Sequence, residues 1–261
     1  MAEISNFSKD TLTNVFNGRL HAPDRFLYPT NPRESIESRI VDRFTQLREK
    51  GAVTFVDGAF DVPHNNHEWY LRHCRVIGAF ATFQALHDAD AQPDEFMTHV
   101  STAPELLRTT QLAVTVDADS KVAAKKSGIG AKGGVQRPIY PWIARAERLA
   151  GYHFEYNGAL RQTVDLVTVE GDPEHTGTPL ESSLALAAFL KSEDLLDTFI
   201  IYGEHDKTVS EADSLDLSPV IIEEGAYELN PQTDREWSSS NIIRRAQGSP
   251  VPHPITRPSG L

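Results

Sequence analysis

From residue 35 to residue 50, apolar side chains return at Ile36, Ile40, Phe44 and Leu47. That spacing lays one stripe along a helix, and Gly51 stands in the stop position behind it. The pattern then changes. AVTFVDG (52–58) is a short β-branched run that predicts a strand, and HEWYLRHCRVIGAFATFQALHD (67–88), free of proline and rich in helix formers, predicts a helix interrupted near Gly78. LAVTVD (112–117) is too short for a helix and predicts a second strand. The lysine- and glycine-rich KVAAKKSGIGAKGGVQRPIYP (121–141) is expected as a loop leading to a helix over WIARAERLAG (142–151). Three further apolar runs end at glycine: VDLVTVEG (164–171), TFIIYG (198–203) and SPVIIEEG (218–225). Helical composition, PLESSLALAAFLKSEDLL (179–196), lies between the first two.

Strands alternating with helices imply parallel strands joined by crossovers. The expected fold is therefore α/β, an open, mostly parallel Rossmann-like sheet with helices on both faces and ligands at the carboxyl ends of its strands. Residues 1–50 form an extension and its helix, 51–247 the main domain, and 248–261, rich in Pro, Gly and Ser, a disordered or loosely docked tail. No internal repeat is evident.

Composition narrows the partners. A chain of 261 residues with 39% hydrophobic content supports one sizeable core. Its formal charge of −12 disfavours a nucleic-acid backbone as ligand, leaving small molecules or other proteins. The single cysteine, Cys74, excludes an intrachain disulfide and multi-thiolate zinc sites and fits a reducing compartment. No apolar stretch approaches bilayer length, SSLALAAFL being far too short, and no secretory leader opens the sequence. A cytoplasmic protein without membrane association is expected.

Gly128, Gly130 and Gly133 satisfy G-x-G-x-x-G, yet they follow LAVTVD by more than ten residues and run into two prolines instead of opening a helix. A glycine loop is the better reading. GAFDVPHNNH (58–67) differs, because it leaves a strand and opens a helix, where free N–H groups and the helix dipole favour an anion such as phosphate. His64 and His67 could donate there to phosphate oxygens. Taken alone, HxxH is equally a surface pair without a role or half of a metal site. Near the C-terminus, Trp237-Ser238-Ser239-Ser240-Asn241-Ile242-Ile243-Arg244-Arg245 reads as a serine-capped helix start carrying arginines.

GAFDVPHNNH resembles the G-x-F-D-x-x-H-x-G-H signature of the cytidylyltransferase-like nucleotidyltransferases, with Asn66 at the family's glycine. The serine segment resembles that family's second motif, in the form found in the adenylyltransferase domain of ADP-heptose synthase. LAVTVDADSKVAAKK with QRPIYPWIARAERLAG is similar to the stretch between them, matching at Asp119, Val122, Lys125 or Lys126, Arg137, Pro138, Pro141 and Arg145. The resemblance spans roughly residues 52 to 247. It implies attack by an acceptor's phosphate oxygen on the α-phosphorus of a nucleoside triphosphate, with release of pyrophosphate. His64 and His67 would contact the triphosphate, and Lys125, Lys126 and Arg145 would neutralise the acceptor phosphate or the pyrophosphate. Gly58, Ala59, Phe60, Asn66, Gly203 and Asp206 would line the nucleotide, and Ser239, Ser240 and Arg244 would hold its outer phosphates.

Magnesium is implied with the triphosphate, held mainly by phosphates and water; Asp61 could lie near it, and reads equally as a buried structural carboxylate capping the following turn. The S-S-S-N-I-I-R-R ending and the R-P-x-x-P loop resemble the heptose phosphate adenylyltransferases, which favours ATP and a sugar phosphate, and Thr233-Asp234-Arg235-Glu236 in place of the cytidylyltransferases' R-T-E-G leans against CTP. A homodimer is expected by analogy. The alternative is a nucleotide-binding or regulatory protein of the same fold that does not turn over.

Overall fold

A computed structural model of the chain describes residues 36–87, 105–126, 137–156, 159–170, 183–202 and 206–222. The stripe read from the sequence forms α1 (Ile36–Arg48), which buries Ile40, Phe44 and Leu47. β1 (Val53–Gly58) follows and leads to α2 (Asn65–Leu86). Next come α3 (Glu105–Thr109), β2 (Gln111–Asp117), α4 (Asp119–Lys126) and α5 (Trp142–Ala150). A hairpin of β3 (His153–Tyr156) and β4 (Ala159–Gln162) precedes β5 (Leu166–Glu170) and α6 (Ser183–Ser192). β6 (Thr198–Tyr202), α7 (Asp206–Ser214) and β7 (Val220–Ile222) complete the order.

Five strands form one open sheet in the order β5-β2-β1-β6-β7, with every neighbouring pair parallel. The chain builds outward from β1 to β5, returns past β1 and builds the other way through β6 and β7. The reversal therefore lies between β1 and β6, the position at which open α/β sheets leave a crevice at their carboxyl ends. The strands are apolar on both faces, as sheets covered on both sides must be.

Alternation along β1 sends Val53 and Phe55 to one core and Val56 to the other. The first core receives α1, α6 and α7, and Phe55 lies between Phe44 (centroids 6.2 Å, edge-on) and Phe199 (5.8 Å, stacked). The second receives Tyr70, Leu71 and Cys74 of α2 and Ala146 and Leu149 of α5. Helices thus cover both faces, as the sequence predicts.

Two expectations are corrected. α2 is not interrupted at Gly78. A Cβ there would stand 1.8 Å from Thr54 Oγ1, so this glycine lets the helix lie directly on β1. The start of the expected loop after β2 is also helical. Val122 is fully buried, and Asp119 sits in the first turn of α4, where a carboxylate complements the helix dipole. The glycine pattern of Gly128, Gly130 and Gly133 lies outside the described residues.

Candidate functional site

β1 delivers the chain to the crevice at Gly58. A Cβ on Gly58 would come within 2.8 Å of the Phe60 ring, so the glycine allows that ring to fold back over the strand end. Phe60 adopts φ +42°, a left-handed conformation that costs a non-glycine residue energy and persists only where its surroundings impose it. Asp61, 1% exposed, accepts hydrogen bonds from Arg137 Nε and from the Ile139 amide (2.7 Å). That carboxylate ties the β1 exit to the segment before α5.

His64 is the N-cap of α2, and its pairing with His67 is reciprocal. His64 Nδ1 accepts the Asn66 N–H at 3.2 Å, while His67 Nδ1 accepts the His64 N–H at 3.4 Å. This is the logic of a capping box, with imidazoles in place of the usual serine and glutamate. The two rings stack with centroids 3.9 Å apart, and Phe60 meets His67 edge-on at 5.2 Å. Because each Nδ1 accepts a backbone N–H, the neutral rings carry their proton on Nε2. Burial lowers the His64 pKa to about 4, so this imidazole is a neutral donor at pH 7. Tyr152, its phenol pushed up to about 12 by burial, stays protonated and donates to His64 O at 3.4 Å.

The neighbouring wall rises from β2, α4 and α5. Arg145, 0% exposed, donates from Nε to Tyr140 O (3.0 Å), from Nη1 to Ala59 O, and from Nη2 to Asp117 O (2.6 Å) and Asp119 Oδ1 (2.8 Å). Asp119 Oδ1 also accepts the Trp142 N–H at 2.6 Å. Burial pulls the guanidinium below the usual arginine value, with Asp119 opposing that shift. Farther along the sheet edge, Lys121 lies 3.4 Å from Asp117 Oδ1 and also pairs with Glu170.

Gly58, Ala59, Phe60, His64, Asn66 and His67 are therefore together between β1 and α2. Asn66 occupies the first turn of the helix, and it is not among the residues with positive φ. Left-handed geometry is not what the chain requires there. Arg145 does not stand free to meet a phosphate: its guanidinium is closed in by three backbone carbonyls and a carboxylate. Asp61 likewise does not fit a metal ligand, since its oxygens already serve Arg137 and Ile139. Among the described residues no group of three or more His, Cys, Asp or Glu side chains is arranged to hold a metal ion.

Lys125 and Lys126 close α4, and Asp206 opens α7 just beyond β6, but their side chains lie outside the described atoms. Gly203, Ser239, Ser240 and Arg244 lie outside the described residues. Sequence reasoning missed Tyr152 and the Lys121 pair. The acids ending two strand runs, VTVD and VTVE, were the visible signal for the latter.

An open, parallel, doubly wound sheet with a histidine-capped helix beside its reversal point places the chain among Rossmann-like α/β proteins. No protein-family model matches the sequence, and no curated protein matches it. No helix among the described residues is long and apolar enough to cross a membrane.

Proposed function

We propose that the protein is a nucleotidyltransferase that transfers a nucleoside monophosphate, AMP in preference to CMP, from the triphosphate to a small phosphorylated acceptor such as a sugar phosphate. The observation that carries this reading is the stacked His64–His67 pair at the start of α2, beside the β1/β6 reversal. An acceptor phosphate oxygen attacks the α-phosphorus, the bond to the bridging oxygen breaks, and pyrophosphate leaves with the electron pair. No enzyme nucleophile is required. What the protein must supply is alignment and stabilisation of charge on the phosphorus oxygens. Two Nε2–H donors at a helix start are suited to that, and the capping bonds hold both rings still.

The test separates chemistry from capping. Purified protein is incubated with each nucleoside triphosphate, magnesium and a panel of sugar phosphates, and pyrophosphate release is followed. His64→Asn keeps a side chain that caps well but removes the distal donor, and His67→Gln keeps the reciprocal cap. Both variants are expected to fold as the wild type and lose release. A second reading, a nucleotide-binding or regulatory protein, is favoured by Asn66, whose side chain adds bulk where the resembling family has glycine. Tight triphosphate binding with no release across the panel would select it.

A further inference from the structure

We infer that Tyr152 is a positioning residue: together with the His153 carbonyl it clamps α2, so that the His64–His67 pair is held in one place and one orientation. This deepens the nucleotidyltransferase reading and rests on it. β3 and β4 form a two-stranded sheet of their own, apart from the five parallel strands. The hairpin therefore adds nothing to the main sheet, but the residues at its base reach α2 at two points.

At the N-cap, the Tyr152 phenol donates to His64 O at 3.4 Å. Farther along the helix, Arg72 Nη2 donates to His153 O at 2.6 Å, and the same nitrogen pairs with Glu68. From residue 64 to residue 72 is about 12 Å along a helix axis. A helix held at one point can still pivot about it; held at two points so far apart, it can neither pivot nor slide.

The clamp is itself anchored. Tyr152 is buried in the core that α2 and α5 share with the sheet, its N–H donates to Leu149 O (3.1 Å), and its carbonyl accepts from Thr163 (2.9 Å). The Arg148 guanidinium lies 5.8 Å from the ring centroid. The phenol is thus placed by α5 and the hairpin base, not by α2.

Position is what the pair needs. Both Nδ1 atoms serve the cap, so the two distal donors go wherever the first turn of α2 goes. A misplacement of ~1 Å can cost about 10²-fold in rate. His64 O also accepts the His67 N–H (3.0 Å) and the Glu68 N–H (3.2 Å). Tyr152→Phe therefore strands no buried acceptor, and the variant keeps its fold while losing one attachment.

The experiment reads the rings directly. Uniformly 15N-labelled protein at pH 7 gives long-range 1H–15N correlations of the imidazoles, assigned through His64→Asn and His67→Gln. In the wild type both rings are expected to carry the proton on Nε2 alone. In Tyr152→Phe a second population with the proton on Nδ1 should appear, and kcat for pyrophosphate release should fall about 10-fold while KM for the triphosphate changes far less. Arg72→Met keeps the alkyl stem, removes the second attachment and should act in the same direction. Phe44→Leu loosens the opposite core and controls for stability alone; its imidazole spectrum should match the wild type. Imidazole signals in Tyr152→Phe identical to those of the wild type, or an unchanged kcat, would overturn the inference and spare the proposed function. A wild type that releases no pyrophosphate with any triphosphate would overturn that function, and the imidazole spectra alone then decide whether Tyr152 positions the pair.

Discussion

Gly78→Ala separates two accounts of the same glycine. If Gly78 marked a weak point in α2, alanine would stabilise the helix by about 1 kcal/mol through propensity alone. The packing says otherwise. The new Cβ would lie 1.8 Å from Thr54 Oγ1 and 2.9 Å from Thr54 Cβ. Rotating χ1 of Thr54 moves Oγ1 but not Cβ, so α2 itself must lift from β1. Overpacking of this kind costs about 1–3 kcal/mol, and the upper end applies where a side-chain rotation gives no escape. Subtracting the propensity gain leaves a net loss of about 2 kcal/mol. In thermal unfolding that is a fall in Tm of about 4–8 °C. Thr54→Ala removes the 1.8 Å contact and leaves the 2.9 Å one, so Gly78→Ala in that background should cost measurably less, a coupling readable as a double-mutant cycle. A Gly78→Ala protein as stable as the wild type or more so would refute the packing argument and restore the interrupted helix.

Two further predictions concern the site's own groups. The His64 pKa is about 4 in the fold and 6.5 as the unperturbed value, so between these pH values the unfolded chain binds more protons than the folded one. Stability should therefore rise with pH across that window, be fully present above 6.5, and at low pH lose up to about 3 kcal/mol from this group. Urea midpoints from pH 4 to 7 should show the slope, flattened in His64→Asn; an unchanged slope in that variant would remove burial of His64 as its source. Asp61→Asn should destabilise the protein by about 3 kcal/mol even in EDTA, because the loss comes from removing the buried carboxylate charge that Arg137 Nε meets. Equal melting of Asp61→Asn and wild type in EDTA would mean that the carboxylate has no structural partner worth the name.

Much of this was legible in the sequence because burial writes itself into periodicity. The stripe of α1 and the β-branched runs of β1, β2, β5 and β6 each mark a face that had to be covered, and covered faces leave little freedom of topology. What escaped was decided by other physics. The β3–β4 hairpin carries no long apolar run, yet Asn157-Gly158 stands between the paired residues Tyr156 and Ala159, a two-residue turn signal that hydrophobic pattern alone does not register. Gly78 read as a break because propensity is a local quantity, whereas its cause is a threonine on another element. Arg145 read as a charge awaiting a ligand, and Asp61 as either that or a structural carboxylate, because a sequence lists donors and acceptors without showing which of them already satisfy one another.

The histidine pair shows why the last distinction matters. Its sequence reading left a choice between a chemical role and none, as though structure and chemistry competed for the same atoms. An imidazole has two nitrogens, and in both rings the Nδ1 faces the backbone. The cap consumes one edge of each ring and, by fixing the tautomer, commits the other edge to donating. Burial then holds His64 neutral, so that its donor carries no charge to be neutralised by solvent or by an acidic surface. A serine and a glutamate would cap α2 as well and offer nothing beyond it. The proposed chemistry therefore falls to the edge of each ring opposite the cap, and replacing His64 by a residue that caps equally well is the perturbation that tests it.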